Sequence, residues 1–251
     1  MRGRDTDFDE LWNTTPEPGP PLTEADLAGL PEPAHRYLAH AIAPGAPMAS
    51  AVRLRMRGEL KMKGAWNAFE AEQVLRVHRG FVWRAKVTMH GLPVSGSDRW
   101  VDGEGSMKWK LLGLIPVASG DGPAVSRSAA GRAQIEGILL PPALFAEALE
   151  WEAVDPAHTA ARVRLGDLTS RVEIGLGEQG QVRDAVMLRW GAVDGEDSPY
   201  REERFGCIAS AERTFGDYTI PTELRVGWHI GTDRWEEGEF FRCTIDEAEF
   251  R

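Results

Sequence analysis

Over residues 52–62 the chain reads Val-Arg-Leu-Arg-Met-Arg-Gly-Glu-Leu-Lys-Met, apolar and charged positions in alternation, with Gly58 at one apolar site. Side chains on a strand point alternately to opposite faces, so this period of two predicts a sheet with one buried and one wet face. The pattern recurs less cleanly to Phe250. Phe69, Ala71, Gln73, Leu75 and Val77 alternate with Glu70, Glu72 and Arg76. After a turn at Arg79-Gly80, Phe81, Trp83, Ala85, Val87 and Met89 alternate with Arg84, Lys86 and Thr88. Further strands are expected at 97–101, 106–112, 149–154, 159–165, 169–176, 182–190, 201–215, 220–230 and 235–250. About eleven strands joined by short Gly-, Asp- or Pro-containing turns predict one up-and-down antiparallel sheet, long enough that it must curl.

Helical periodicity interrupts this rhythm in two places. Thr23 is positioned to cap a short helix, and Pro31 and Pro33 open a second over 34–42, with Tyr37, Leu38, Ala41 and Ile42 as its apolar stripe. Residues 113–123 are rich in Gly and Pro, 124–138 are helix-compatible despite Gly131 and Gly137, and 139–145 form an apolar elbow. A helix inserted between two blocks of strands is expected to cross the concave face of a curled sheet. The expected fold is therefore mainly β: a large curled antiparallel sheet, an open or half barrel, with N-terminal helices and a central helical plug at about 124–145. Residues 1–21, rich in Asp, Glu and Pro, are expected to form a flexible arm that Phe8, Leu11 and Trp12 can anchor, ahead of a single β domain at 22–251.

Charge narrows the range of partners. A formal net charge of −10 repels nucleic acid and anionic surfaces on average, so no nucleic-acid partner is expected. The row Arg53, Arg55, Arg57, Lys61 and Lys63 reads either as a solvated strand face or as an interaction face for another protein. The N-terminal segment has no apolar run of export or spanning type, which predicts a cytoplasmic protein without an integral membrane segment. Cys207 and Cys243 fall on different predicted strands and read as free buried thiols.

The chain offers little reactive chemistry. His35 and His40 do not share a helix face, and His78 and His90 could meet across a hairpin but without further metal-ligand spacing, so no metal or other cofactor is expected. Gly103 to Gly105 leads into a strand and reads as a hairpin turn, not a phosphate loop. Ser95, Ser97 and Ser106 lack a nucleophile-elbow context.

Glu136 is the polar group that draws notice, because helical spacing places it with Ala129, Arg132 and Ala133 on one face. Either it pairs with Arg132 on the solvent side, or it faces the concavity with Arg189 or Arg99 as partner. Trp83, Trp100, Trp109, Trp151, Trp190 and Trp228 all sit in predicted strands, where they can fill a core or wall a pocket. The candidate ligand-binding set is Trp83, Arg99, Trp109, Glu136, Trp151, Arg189 and Trp228. The expected function is non-catalytic binding of an apolar or amphipathic small molecule between sheet and plug. An enzyme using Glu136 as acid or base in the same cavity is the alternative reading, beside a protein-interaction module on the Arg53 to Lys63 face.

Several of these residues also carry a family resemblance. The run Glu-Gly-Ser-Met-Lys-Trp-Lys-Leu-Leu-Gly-Leu-Ile-Pro-Val at 104–117 resembles an uncharacterised bacterial domain-of-unknown-function family. So do the 130–144 helix and elbow, Trp151-Glu152, the 69–73 strand, Trp83, Asp98, Arg189, Tyr218 with Pro221, and Trp228. The resemblance covers most of the chain from Leu30 onward and implies no known activity. More remotely, the long curled sheet with helices in its concavity is similar to the lipoprotein-localisation-factor fold, whose periplasmic members shield acyl chains. That likeness implies an apolar cavity, while this chain departs from the pattern in lacking an export signal and a lipobox cysteine.

Overall fold

The structure, a computed structural model, describes residues 2–62, 64–195 and 198–251, with side chains from Thr6 onward. Three helices come first: α1 (Arg2–Asn13), α2 (Glu24–Leu27) and α3 (Glu32–Ala41). Thr23 caps α2 through a reciprocal bond with Asp26, the polar signal expected at that position. Six strands follow, β1 (Ala51–Met62), β2 (Ala65–Arg76), β3 (Gly80–Met89), β4 (Leu92–Val101), β5 (Glu104–Leu111) and β6 (Ile115–Gly120). Helix α4 (Pro123–Ile135), a 3-10 turn (Glu136–Leu139) and α5 (Pro141–Glu147) interrupt them. Then come β7 (Ala148–Asp155), β8 (His158–Leu165), β9 (Leu168–Leu176), β10 (Val182–Ala192), β11 (Tyr200–Phe215) and β12 (Tyr218–Trp228). A short α6 (Trp235–Gly238) leads into β13 (Glu239–Phe250).

Among the described residues the strands form one 13-stranded antiparallel sheet in the order β6-β5-β4-β3-β2-β1-β13-β12-β11-β10-β9-β8-β7. It is not closed into a barrel: β6 and β7 are its edges. The connection between them must pass from one edge of the sheet to the other. That requirement, more than any helix propensity, lays α4 across the concave face, where it touches β3, β4 and β5 on one side and β8, β9 and β10 on the other.

Thirteen strands replace the roughly eleven expected. The strand with no counterpart among the expected ranges, β6, lies in the Gly- and Pro-rich stretch; Pro116 is tolerated there because an edge strand pairs on one side only. At the other end, 235–238 is helical and the last strand starts at Glu239.

The two faces of the sheet carry separate cores. On the concave side Leu54, Phe81, Trp83, Ile174, Ile220 and Ile245 pack with Ala130, Ile135, Ile138, Leu139 and Leu144 of the plug. On the convex side Phe8, Leu11 and Trp12 of α1 close over Ala51, Val74, Val82 and Val101. Residues 2–13, inside the segment expected as an arm, are thus helical, with those three side chains as its buried contacts. The two cysteines are free and buried, on β11 and β13 with β12 between them.

Two indoles on the concave face lie over glycines, Trp109 of β5 over the adjacent β4 and Trp228 of β12 across β11 onto β10. A Cβ at Gly96 would come within 2.3 Å of the Trp109 ring, and one at Gly191 within 2.4 Å of Trp228. The glycines therefore set the depth at which these rings sit. Gly96→Val raises strand propensity yet is expected to destabilise the protein by ~1–3 kcal/mol through overpacking. A lowered midpoint in urea denaturation is the check, and an unchanged midpoint would show that the ring can move aside freely.

Candidate functional site

Concave-facing positions of β2, β3, β4 and β5 bring Gln73, Trp83, Asp98 and Trp109 together under the plug. Helix α4 delivers Arg132, and the 3-10 turn that follows delivers Glu136. Arg132 Nε donates to Glu136 Oε1 at 2.7 Å and its Nη1 to Asp98 Oδ2 at 3.2 Å. Gln73 Nε2 donates to Glu136 Oε2 at 2.6 Å, and Trp109 Nε1 to Asp98 Oδ1 at 3.2 Å. Phe81 and Trp83 lie against the guanidinium face, 4.5 and 5.3 Å from ring centre to Arg132 Cζ. Trp83 in turn packs on Trp109, Phe69 and Phe241, and its buried Nε1 has no partner among the described residues.

Burial sets the electrostatics of this cluster. It raises the Asp98 pKa above the ordinary carboxylate value, against the opposing pull of Arg132 and the Trp109 hydrogen bond. Burial alone would lower Arg132, but the Glu136 and Asp98 carboxylates overcome it and hold the guanidinium above its usual value. For Arg189 the same two carboxylates are outweighed: burial and the nearby Arg132 pull it down to about 10. It donates to Ser128 O at 3.0 Å and Ser128 Oγ at 3.2 Å on α4, and stacks on Phe205 and Trp228. Among the described residues no carboxylate lies within salt-bridge distance of it.

Five of the seven sequence candidates meet here or beside it: Trp83, Trp109 and Glu136 in the network, Arg189 and Trp228 adjoining. Arg99 does not. The alternation that turns Asp98 inward turns Arg99 to the convex face, where it pairs with Asp7 of α1. Trp151 stands apart on β7 against Tyr37, their ring centres 6.3 Å apart. Glu136 has neither Arg99 nor Arg189 as hydrogen-bonding partner. It takes the i,i+4 partner Arg132, but inside the concavity, with side chains 19% and 17% exposed. The pair expected on the solvent side is enclosed because the connection between the sheet edges carries that helix face inward.

Gln73 and Asp98 carry a signal in the sequence: each is a polar residue at an inward position of its strand, beside Ala71 and Leu75 in one case and Trp100 in the other. Glu147 has almost none. At the end of α5 it is buried and accepts a hydrogen bond from the His78 amide at 2.6 Å, with His78 Nδ1 at 3.6 Å. Burial pushes it up to about 7. On the convex face Arg53, Arg55 and Arg57 are paired with Glu249, Glu72, Glu247 and Asp246, as expected of a solvated face. Lys63 lies outside the described residues. No three His, Cys, Asp or Glu side chains among the described residues converge in a metal-holding geometry.

An open antiparallel sheet, its edges linked through a helix that packs into its own concavity over an ionic aromatic cluster, defines a class of mainly β, plugged half-barrel proteins. Within it, this chain belongs to the family of unknown function DUF6920, which matches residues 28–250. Among solved structures it is similar to a LolA superfamily protein from Nitrosomonas europaea, with 10% identity, 92% of this chain and 94% of that chain covered, and a TM-score of 0.44. It is also similar to a DUF1329 family protein from Desulfovibrio piger, with 11% identity, 91% and 92% covered, and a TM-score of 0.42. No curated protein matches the chain. None of its helices among the described residues is long and apolar enough to cross a membrane.

Proposed function

We propose that the protein binds an amphipathic small molecule, an apolar body with an anionic head, between sheet and plug, without catalysis. Arg189 carries this reading. It is an enclosed guanidinium stacked on two aromatic rings, and its hydrogen-bond acceptors come from Ser128 of the plug instead of from a carboxylate. Lifting α4 withdraws those acceptors and leaves donors that suit an acidic head group, beside an aromatic wall that suits an apolar body.

The plug has to move for this to happen. The space beside Glu136 and Glu147, lined also by Leu75, Gly80, Ala133 and Leu140, is about 20 Å³. That holds about one water molecule, whereas small-molecule sites run to roughly 300 Å³ or more. The binding-competent state is thus a minor conformer that ligand would select, and apparent affinity falls in proportion to its population.

The acid-base alternative draws less support. A general base needs an oxygen aimed at the proton it takes. Both Glu136 oxygens already accept hydrogen bonds, from Arg132 and Gln73.

Titration with a fluorescent fatty acid tests the proposal. Saturable binding is expected, with Arg189→Met raising Kd roughly tenfold or more through the lost charge-assisted hydrogen bonds. An uncharged analogue of the same chain length should bind wild type and variant alike. If the wild type gives no saturable signal, or the variant binds the acid as tightly, the proposal fails.

A further inference from the structure

The chain has five lysines among its 29 basic residues, and all lie between residues 61 and 110. In the outward meander from β1 to β6, alternate turns fall at the same end of that half-sheet: β1–β2, β3–β4 and β5–β6. The last two turns are apolar and exposed. Leu92 on one, and Leu112, Leu114, Ile115 and Val117 on the other, are all exposed, Leu114 by 78%. The Leu112 amide is bonded to the Pro93 carbonyl, which ties the two tips together. Leu112 at φ 53° and Gly113 at φ 71° are the central pair of the 111–114 turn, the same left-handed pair that His90-Gly91 and Asp102-Gly103 form in theirs, and Leu112 is left 52% exposed.

Lys86, Lys108 and Lys110 flank these tips on the convex face. Lys86 and Lys110 both face Ser95 of β4, one from each side, and Lys108 lies one step further along β5. Arginines of the same face are matched to carboxylates, as described for Arg53, Arg55 and Arg57, and Arg84 is matched to Glu72. Lys86, Lys108 and Lys110 have no carboxylate within salt-bridge distance among the described residues, although Glu70 stands opposite Lys86 in the register. Unpaired flexible cations beside unsupported leucines are ill suited to a free aqueous surface. They match a membrane interface, where apolar tips enter the acyl boundary and lysine ammoniums meet phosphate head groups.

We propose that this end of the sheet docks on the surface of an anionic lipid bilayer, with the β5–β6 tip inserted. The proposal is independent of the ligand reading above. Because the chain as a whole is acidic, the contact is local: the expected average repulsion from anionic surfaces holds for the rest of the molecule, and binding weakens with salt.

Flotation of the full chain with lipid vesicles tests this. Vesicles of equal parts phosphatidylcholine and phosphatidylglycerol should carry roughly tenfold more protein than phosphatidylcholine alone, and molar salt should release it. Leu114→Ser with Ile115→Ser, and separately Lys108→Glu with Lys110→Glu, should each cut the bound fraction roughly fivefold or more. Leu188→Ser, an exposed leucine on β10, should leave it unchanged. An environment-sensitive dye on Leu114→Cys should brighten with anionic vesicles, and one on Leu188→Cys should not. Wild-type protein that stays off the vesicles, patch variants that float as wild type does, or a Leu114 dye that ignores lipid would each overturn the proposal. So would a wild-type dimer that the patch variants convert to monomer without any vesicle binding, since the occupant would then be a second copy.

Discussion

Arg132→Met is expected to lower stability by ~3 kcal/mol, the lower end of what removing one member of a buried pair costs, since the guanidinium retains some contact with water. The side chain holds Glu136 and Asp98 at once, and its removal leaves two enclosed carboxylates in an aromatic site. An ordinary solvent-exposed i,i+4 pair contributes only ~0.3–0.5 kcal/mol. Urea denaturation therefore separates the two situations by size alone. Adding Asp98→Asn and Glu136→Gln to Arg132→Met removes the stranded charges and should recover part of the loss. A single-variant loss below ~0.5 kcal/mol would show that the network has no more structural weight than a surface pair.

Glu147→Gln should act in the opposite direction, and only at the alkaline side. The folded-state pKa of about 7 lies above the ordinary 4.5, so the native protein holds a proton that the unfolded chain releases. The stabilising contribution of the protonated carboxyl is fully present below about pH 4.5 and is lost as pH rises through about 7. Across that interval the wild type should lose about 3 kcal/mol relative to a variant with no titrating group. Glutamine keeps an oxygen for the His78 amide, so the variant should match wild type near pH 4.5 and exceed it at pH 8. Asp98 slopes the same way in both proteins and cancels in the comparison. Parallel pH profiles for the two would mean that Glu147 is hydrated in solution.

Period-two alternation makes the sheet apart from β6 legible, because inward and outward sets are set by local geometry and need no knowledge of the rest of the chain. β1 is the clearest case, with Leu54 and Met56 inward and Arg53, Arg55 and Arg57 outward. The same rule was available for Arg99: the residue beside an inward Asp98 has to point outward, so it could never have joined Glu136. The choice of Arg132 as partner was harder to settle. Helix spacing shows that Arg132 and Glu136 share a face, but whether that face meets water depends on where the chain crosses the sheet, and only the pairing order reveals this. Glu147 is illegible in the sequence for the same reason. Its burial comes from the β2–β3 turn about seventy residues earlier, contributed through His78, and no local pattern encodes such a contact.

Pairing of β1 with β13 places the first and last strands side by side at the middle of the sheet, with Val52 opposite Phe250. Each half-sheet can grow from near-neighbour hairpins as it leaves the ribosome, yet the seam between them must wait for β13 to emerge. Until then β1 and β12 each present an open edge with unsatisfied amides and carbonyls, the arrangement that templates strand exchange between molecules. A chain stopped short of β13 would therefore lose the joint and keep both sticky edges. Nonsense or frameshift changes ahead of β13 should yield aggregates, and loss of its twelve residues should be far more damaging than loss of as many from an edge strand.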